Sequence, residues 1–223
     1  MILLAIDCAT EMLSLAVSAS DGMHERSIHV GQRHAELVFD EIDALLARAS
    51  VGLGDLQGIA YGSGPGSFTG LRIACGIVQG IAAARGLPVL GVSTLAAIAE
   101  AAGDERVVAC LDARMGEVYH AAFQRRHGDL REVVSPGLCR PGEVPLPEGD
   151  RWVGCGPGFA AYLEALRARY GARMSAFRDD VFPSAAAILR LAVPRFAAGE
   201  GDDAAHALPV YLRDRVALRT AER

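Results

Sequence analysis

The chain has no lysine and no asparagine: all 22 of its Lys+Arg residues, in a total of 223, are arginine. The missing lysine excludes a P-loop lysine, a Schiff-base lysine and a Ser–Lys dyad, and the missing asparagine excludes an N-glycosylation acceptor. Cysteine is sparse and unpatterned. Cys8, Cys75, Cys110, Cys139 and Cys155 lie singly in apolar stretches with no C-x-x-C pair, as expected of reduced buried thiols in a cytoplasmic protein. The six histidines show neither H-x-x-x-H nor H-E-x-x-H spacing, so no helical metal pair is available, and there is no G-x-S-x-G nucleophile elbow. Positive charge is not in excess either. A net charge of −5 argues against a main role in binding nucleic acid, although a local arginine patch could touch RNA. No window of about 20 residues is free of charge, so no membrane span is expected. Met1–Ile6 is too short for a signal sequence and runs straight into Asp7.

What is present is a large apolar fraction, 51%, enough to build one large domain or two small lobes. Ile2–Cys8 is a continuous apolar run, the pattern of a buried strand. Leu13–Ala19 and Met23–Val30 predict two more strands, the second nearer an edge. Ala35, Val38, Phe39, Ile42, Leu45, Leu46 and Ala49 form one apolar stripe, predicting a helix over His34–Ala49. Leu56–Gly62 reads as a strand, Gly64–Gly70 as a loop opening a helix to about Ala84, Pro88–Val92 as a strand and Thr94–Ala102 as a helix. Strands alternating with helices imply a mostly parallel sheet with an antiparallel meander at one side.

The second half starts again in the same way. Val107–Asp112 is an apolar strand ending in Asp, followed by a short turn and a second strand, like Leu3–Asp7 and Leu13–Val17. Gly154-Cys155-Gly156-Pro157-Gly158 with Phe159 echoes Gly62-Ser63-Gly64-Pro65-Gly66 with Phe68. Two landmarks in the same order, at offsets of 105 and 92 residues, point to an internal duplication with a lobe boundary at 104/105. Gly128–Arg140 reads as a strand pair and Pro141–Asp150 as a loop. Gly158–Tyr170 and Ser184–Ala198 read as helices, the latter with Ser184 as N-cap. Pro209–Asp214 is a short apolar piece expected to dock extended, with a frayed end beyond it.

Three features could carry chemistry. Asp7, at the end of its strand, and Thr10 in the following turn could hold a hydrated cation and a phosphate, with Asp112 facing them across a cleft and Gly154 and Gly156 in the matching turn. The alternative is that both Asp residues simply form turns. Arg114 fits a structural role, pairing with Asp7, Asp112 or Glu117. The Gly64–Gly70 loop could cradle an anion at a helix N-terminus, or Ser67 or Thr69 could merely cap the helix while Phe68 packs against something. The helix Leu71–Ala84 is apolar or small on nearly every side, with Arg72, Gly76, Gln79, Gly80 and Ala83 on a narrow small-residue face. It must be covered all round, either by His34–Ala49 or by another protein chain. Glu36, Asp40, Glu41 and Asp43 mark a solvated or partner-facing side of the neighbouring helix.

Taken together, Ile6-Asp7-Cys8-Ala9-Thr10, Gly64-Pro65-Gly66-Ser67-Phe68-Thr69-Gly70-Leu71-Arg72-Ile73, Gly91-Val92-Ser93-Thr94-Leu95, Asp112-Ala113-Arg114 with Glu117-Val118-Tyr119, and Pro209–Arg213 resemble the TsaB (YeaZ) family over nearly the whole chain. The resemblance implies an α/β chain with a duplicated actin/hexokinase/Hsp70-like (ribonuclease H-like) fold, two lobes each with a mixed sheet and flanking helices. It implies a non-catalytic role in making N6-threonylcarbamoyladenosine at position 37 of tRNA, as the partner of the related TsaD and together with the ATPase TsaE. The catalytic relative carries a G-V-x-H-x-x-x-H metal motif, and here Thr94 and Ile98 stand where its histidines would sit. The TsaD contact of the family is a helical bundle, which maps onto Glu36, Leu37, Asp40 and Glu41 of one helix and Arg72, Gly76, Gln79, Gly80 and Ala83 of the other. Cys8 departs from the Thr or other small residue expected there. The expectations are no tightly bound cofactor, ATP held only weakly or at the complex junction, tRNA reached only through the complex, and a homodimer possible in isolation. The rival reading is a stand-alone ATPase or kinase of the same fold, using Asp7, Thr10, Asp112 and the Gly154–Gly158 turn.

Overall fold

The structure, a computed structural model, describes residues 1–213. Three strands open the chain: β1 (Leu3–Asp7), β2 (Met12–Ala19) and β3 (Gly22–His29). Then come α1 (His34–Arg48), β4 (Gly58–Gly64), α2 (Phe68–Arg85), β5 (Val89–Ser93) and α3 (Thr94–Ala102). The strands form one sheet in the order β3-β2-β1-β4-β5, antiparallel across β1, β2 and β3 and parallel across β1, β4 and β5. β1 sits at its centre with both faces covered, which is why only a continuous apolar run fits there, while polar β3 forms an edge.

The second half repeats this. β6 (Arg106–Asp112), β7 (Val118–Arg126), β8 (Asp129–Cys139), β9 (Trp152–Cys155) and β10 (Met174–Arg178) pair in the order β10-β9-β6-β7-β8, with α4 (Pro157–Tyr170) between β9 and β10. β6, β7 and β8 are antiparallel and β6, β9 and β10 parallel, so each strand matches its counterpart five places earlier. Two mixed five-stranded sheets with flanking helices are the duplicated, actin-like arrangement that the resemblance implies. One expectation is corrected: residues 128–140 hold the single strand β8, not a strand pair. Pro136 and Gly137 read as a break, but β8 is an edge strand, where a missing N–H costs no ladder bond, and register shifts opposite His120 and Ala122 absorb the irregularity.

α5 (Ala185–Ala197), capped by Ser184, whose Oγ accepts from Ala187 N at 3.2 Å, returns to the first sheet. Its Ala185, Ile188, Leu189 and Ala192 pack with Leu3, Ala5, Ala60, Leu90 and Val92. α1 and α2 cover the opposite face of that sheet. α3 lies between the two sheets: Leu95, Ile98 and Ala99 pack on Val107, Ala109, Phe123 and Cys155, while Ala97 joins the α5 cluster. A turn at Ala204–His206 leads into the last described segment, which crosses the first sheet with Val210 N donating to Ser63 O at 2.7 Å. The 104/105 boundary thus falls between α3 and β6, and α5 and the tail cross back over it. The frayed end expected beyond Asp214 lies outside the described residues. Among the described residues no helix is long and apolar enough to cross a membrane.

Candidate partner interface

Only one side of α2 meets the sheet. Leu71, Ala74, Cys75, Val78 and Ala82 are buried there. Beside them Ile73, Gly76, the buried Ile77, Gly80, Ile81 and Ala84 form one wall of an open apolar groove of about 570 Å³, with Arg72 and Arg85 at opposite ends of the helix. The other wall comes from Ala35, Val38 and Phe39 of α1, with Leu53. The apolar stripe of α1 is therefore divided: Ile42, Leu45, Leu46 and Ala49 face the core, Val38 is buried where core and groove meet, and Phe39 stands 57% exposed in the groove.

Of the two coverings open to α2, α1 is not the one that closes this side. A Cβ placed on Gly76 or Gly80 meets nothing within 4 Å. Glycine inside a helix costs about 1 kcal/mol against alanine, and among the described residues no contact requires it at either position. The two glycines instead leave bare backbone on the floor of the groove, where another helix can approach closely.

The structure distributes the remaining interface candidates as follows. Arg72, Gly76 and Gly80 line the groove. Glu36 and Asp40 are exposed on α1, Glu36 paired with Arg33 at 2.8 Å. Leu37 is half-buried against the core. Glu41 is tied to Arg26 of β3. Gln79 is committed within the chain, its Nε2 donating to Ala207 O at 3.1 Å. Ala83 is exposed on α2 outside the groove. Ile73, Ile77 and Ile81 were not singled out by sequence reasoning. Their signal was the i, i+4 spacing of three isoleucines, masked by the small residues that alternate with them.

The nucleotide candidates are placed differently. Asp7 is fully buried at the end of β1. Its Oδ1 accepts from Ala9 N at 3.1 Å and its Oδ2 has no partner among the described residues, lying against Gly62, where any Cβ would collide with it. Burial pushes the carboxyl from its ordinary 3.8 up to about 7. Thr10 Oγ1 accepts from Met12 N at 3.2 Å. Asp112 accepts from Arg114 N at 2.7 Å, Arg114 Nη1 at 3.0 Å and Tyr162 Oη at 3.1 Å, so the partner of Arg114 is Asp112. Gly154 makes room for the Phe159 ring, and Gly156, at φ +112°, for Cys110 O. The Gly64–Gly70 loop lies on the Cys8–Ala9 backbone: Ser67 N donates to Ala9 O at 2.8 Å, a Cβ on Gly70 would strike Cys8 O, and Ser67 Oγ caps α2 by accepting from Gly70 N at 3.2 Å. None of these candidates lines the groove or the second, more polar cavity of about 620 Å³ between Tyr61, Arg195 and His206.

Thr94 and Ile98 are fully buried on α3. The family model for TsaD, tRNA N6-adenosine threonylcarbamoyltransferase, matches residues 27–170. The chain is 37% identical to the tRNA threonylcarbamoyladenosine biosynthesis protein TsaB of Escherichia coli, over 97% of this chain and 96% of that one. The chain belongs to the TsaB family. Its counterpart in Haemophilus influenzae is 34% identical over 96% of this chain and 94% of its own. The solved structure of YeaZ from Pseudomonas aeruginosa superposes with a TM-score of 0.87 at 40% identity, covering 95% of this chain and 99% of that one. TsaB membership places the chain in tRNA threonylcarbamoyladenosine biosynthesis.

Proposed function

We propose that this chain is the non-catalytic scaffold and activating subunit of the machinery that makes N6-threonylcarbamoyladenosine on tRNA, docking a TsaD-family protein through α1 and α2. TsaE joins the same complex, tRNA is reached through it in the cytoplasm, and in isolation a second copy of the chain covers the same face. The observation that carries this reading is the open apolar groove lined by Gly76 and Gly80. An apolar face of this kind marks a protein contact. Gly76→Arg places a long cation on the groove floor and is expected to abolish co-elution with the TsaD-family protein on a sizing column while leaving the circular dichroism of the isolated chain unchanged. Retained co-elution overturns the reading. Calorimetry with Mg·ATP on the isolated chain is expected to give no tight binding; tight binding with turnover favours the stand-alone ATPase instead.

A further inference from the structure

Several surface arginines meet carboxylates, as Arg26 meets Glu41 and Arg190 meets Glu100. Arg72 does not: among the described residues no carboxylate lies within ion-pairing distance of it. It is nonetheless held in place. Its guanidinium carbon lies 3.7 Å from the centroid of the Phe68 ring, and its Nε donates to Tyr211 Oη at 2.9 Å. Tyr211 stacks in turn on Phe68, with ring centroids 5.4 Å apart and planes inclined by 34°. The segment that carries Tyr211 is anchored on both sides, by Val210 N on Ser63 O at 2.7 Å and by Arg213, which donates to Ala113 O at 3.0 Å and pairs with Glu117 at 2.6 Å. The last described residues thus run from the first sheet to the β6–β7 turn and clamp one arginine on the way.

Arg72 is a wall residue of the groove, and its Nη groups have no acceptor among the described residues. Freezing an arginine side chain costs rotamer entropy. Here that cost is met within the chain, before any partner arrives, which is how a preorganised contact gains affinity. A fixed guanidinium with no carboxylate partner among the described residues, at the rim of an apolar groove, is built to receive a carboxylate in a forked hydrogen bond. An RNA phosphate is the rival acceptor, but the net charge of −5 and the apolar groove beside Arg72 favour a protein.

We infer that Arg72 determines docking specificity by binding a carboxylate on the partner's helical surface, and that Phe68 and Tyr211 are positioning residues that hold it there. The inference rests on the docking proposed above. The test measures the affinity of the full chain for its TsaD-family protein at low and high salt, with thermal unfolding of each variant as a check on folding. Arg72→Gln is expected to weaken binding about tenfold and to flatten its salt dependence. Tyr211→Ala is expected to weaken it several-fold alone and not at all in the Arg72→Gln background, with a smaller loss for Tyr211→Phe, which keeps the ring. Unchanged affinity and salt dependence in Arg72→Gln, with binding still abolished by Gly76→Arg, overturns the inference and leaves the docking reading standing. Losses from Arg72→Gln and Tyr211→Ala that simply add overturn the positioning role. Arg72→Gln lowering tRNA affinity but not protein affinity reassigns the site to RNA. If Gly76→Arg still binds, both readings fall together.

Discussion

Asp7 is the residue with the sharpest conflict between chemistry and place. It is fully buried in the centre of the first sheet with one oxygen unpartnered among the described residues, and burial raises its carboxyl to about 7. Between its ordinary 3.8 and about 7 the unfolded chain has released this proton while the folded chain keeps it. Stability therefore falls as pH rises through that window and levels off above it. The shift corresponds to roughly 4 kcal/mol at one pKa unit per 1.36 kcal/mol. Asp7→Asn imitates the protonated form, so it is expected to leave stability at pH 4 unchanged and to raise it by a few kcal/mol at pH 8. Urea denaturation across that range checks this; a variant whose curve runs parallel to the parent's shows that Asp7 is not the group responsible. The position of Asp7 at a strand end was legible in the sequence. Its burial was not, because the chain that covers it comes from elements far away in sequence, among them β4 through Gly62 and α5 through Ile188.

At the scale of elements, α2 shows why identical residues need not be equivalent. Gly70 lies on the Cys8 carbonyl and cannot accept a Cβ, whereas Gly76 and Gly80 face open space. Gly70→Ala is expected to destabilise the chain by at least 2 kcal/mol, the scale of a severe steric clash. Gly76→Ala and Gly80→Ala are each expected to stabilise the isolated chain by up to about 1 kcal/mol while weakening partner docking. Chemical denaturation alongside a binding assay separates these, and a loss of stability in either exposed variant contradicts an open floor. Most elements could be read from periodicity, since α1, α2 and β1 carry strong apolar patterns. β10 could not: Met174-Ser175-Ala176-Phe177-Arg178 is a short, partly exposed edge strand with no apolar run to announce it. The groove was half legible. The glycine spacing pointed to α2, but the gap left between α1 and α2 is a property of packing, which local sequence does not encode.

The whole molecule is tied together by pieces that belong to both halves. Glu100 of α3, 11% exposed, accepts from Arg125 of β7 at 2.6 Å and from Arg190 of α5 at 3.0 Å, so one carboxylate joins an element of the second sheet to a helix packed on the first. α3 is buried against both sheets, and α5 closes the first sheet only after the chain has built the second. The duplication was legible because its landmarks are local turns; the return of α5 was not, because nothing in an amphipathic helix names the sheet it covers. This interleaving predicts that the halves unfold as one unit. Trp152, the only tryptophan, is buried in the second core, far in sequence from Ile188, which is fully buried in the α5 cluster on the first sheet. Ile188→Ala removes packing worth about 2–5 kcal/mol. If the halves are coupled, the urea midpoint seen by Trp152 fluorescence shifts with the midpoint seen by far-ultraviolet circular dichroism. A fluorescence midpoint that stays in place while part of the circular dichroism signal is lost early means that the second lobe stands alone, and that α3 and Glu100 join the halves without making them cooperative.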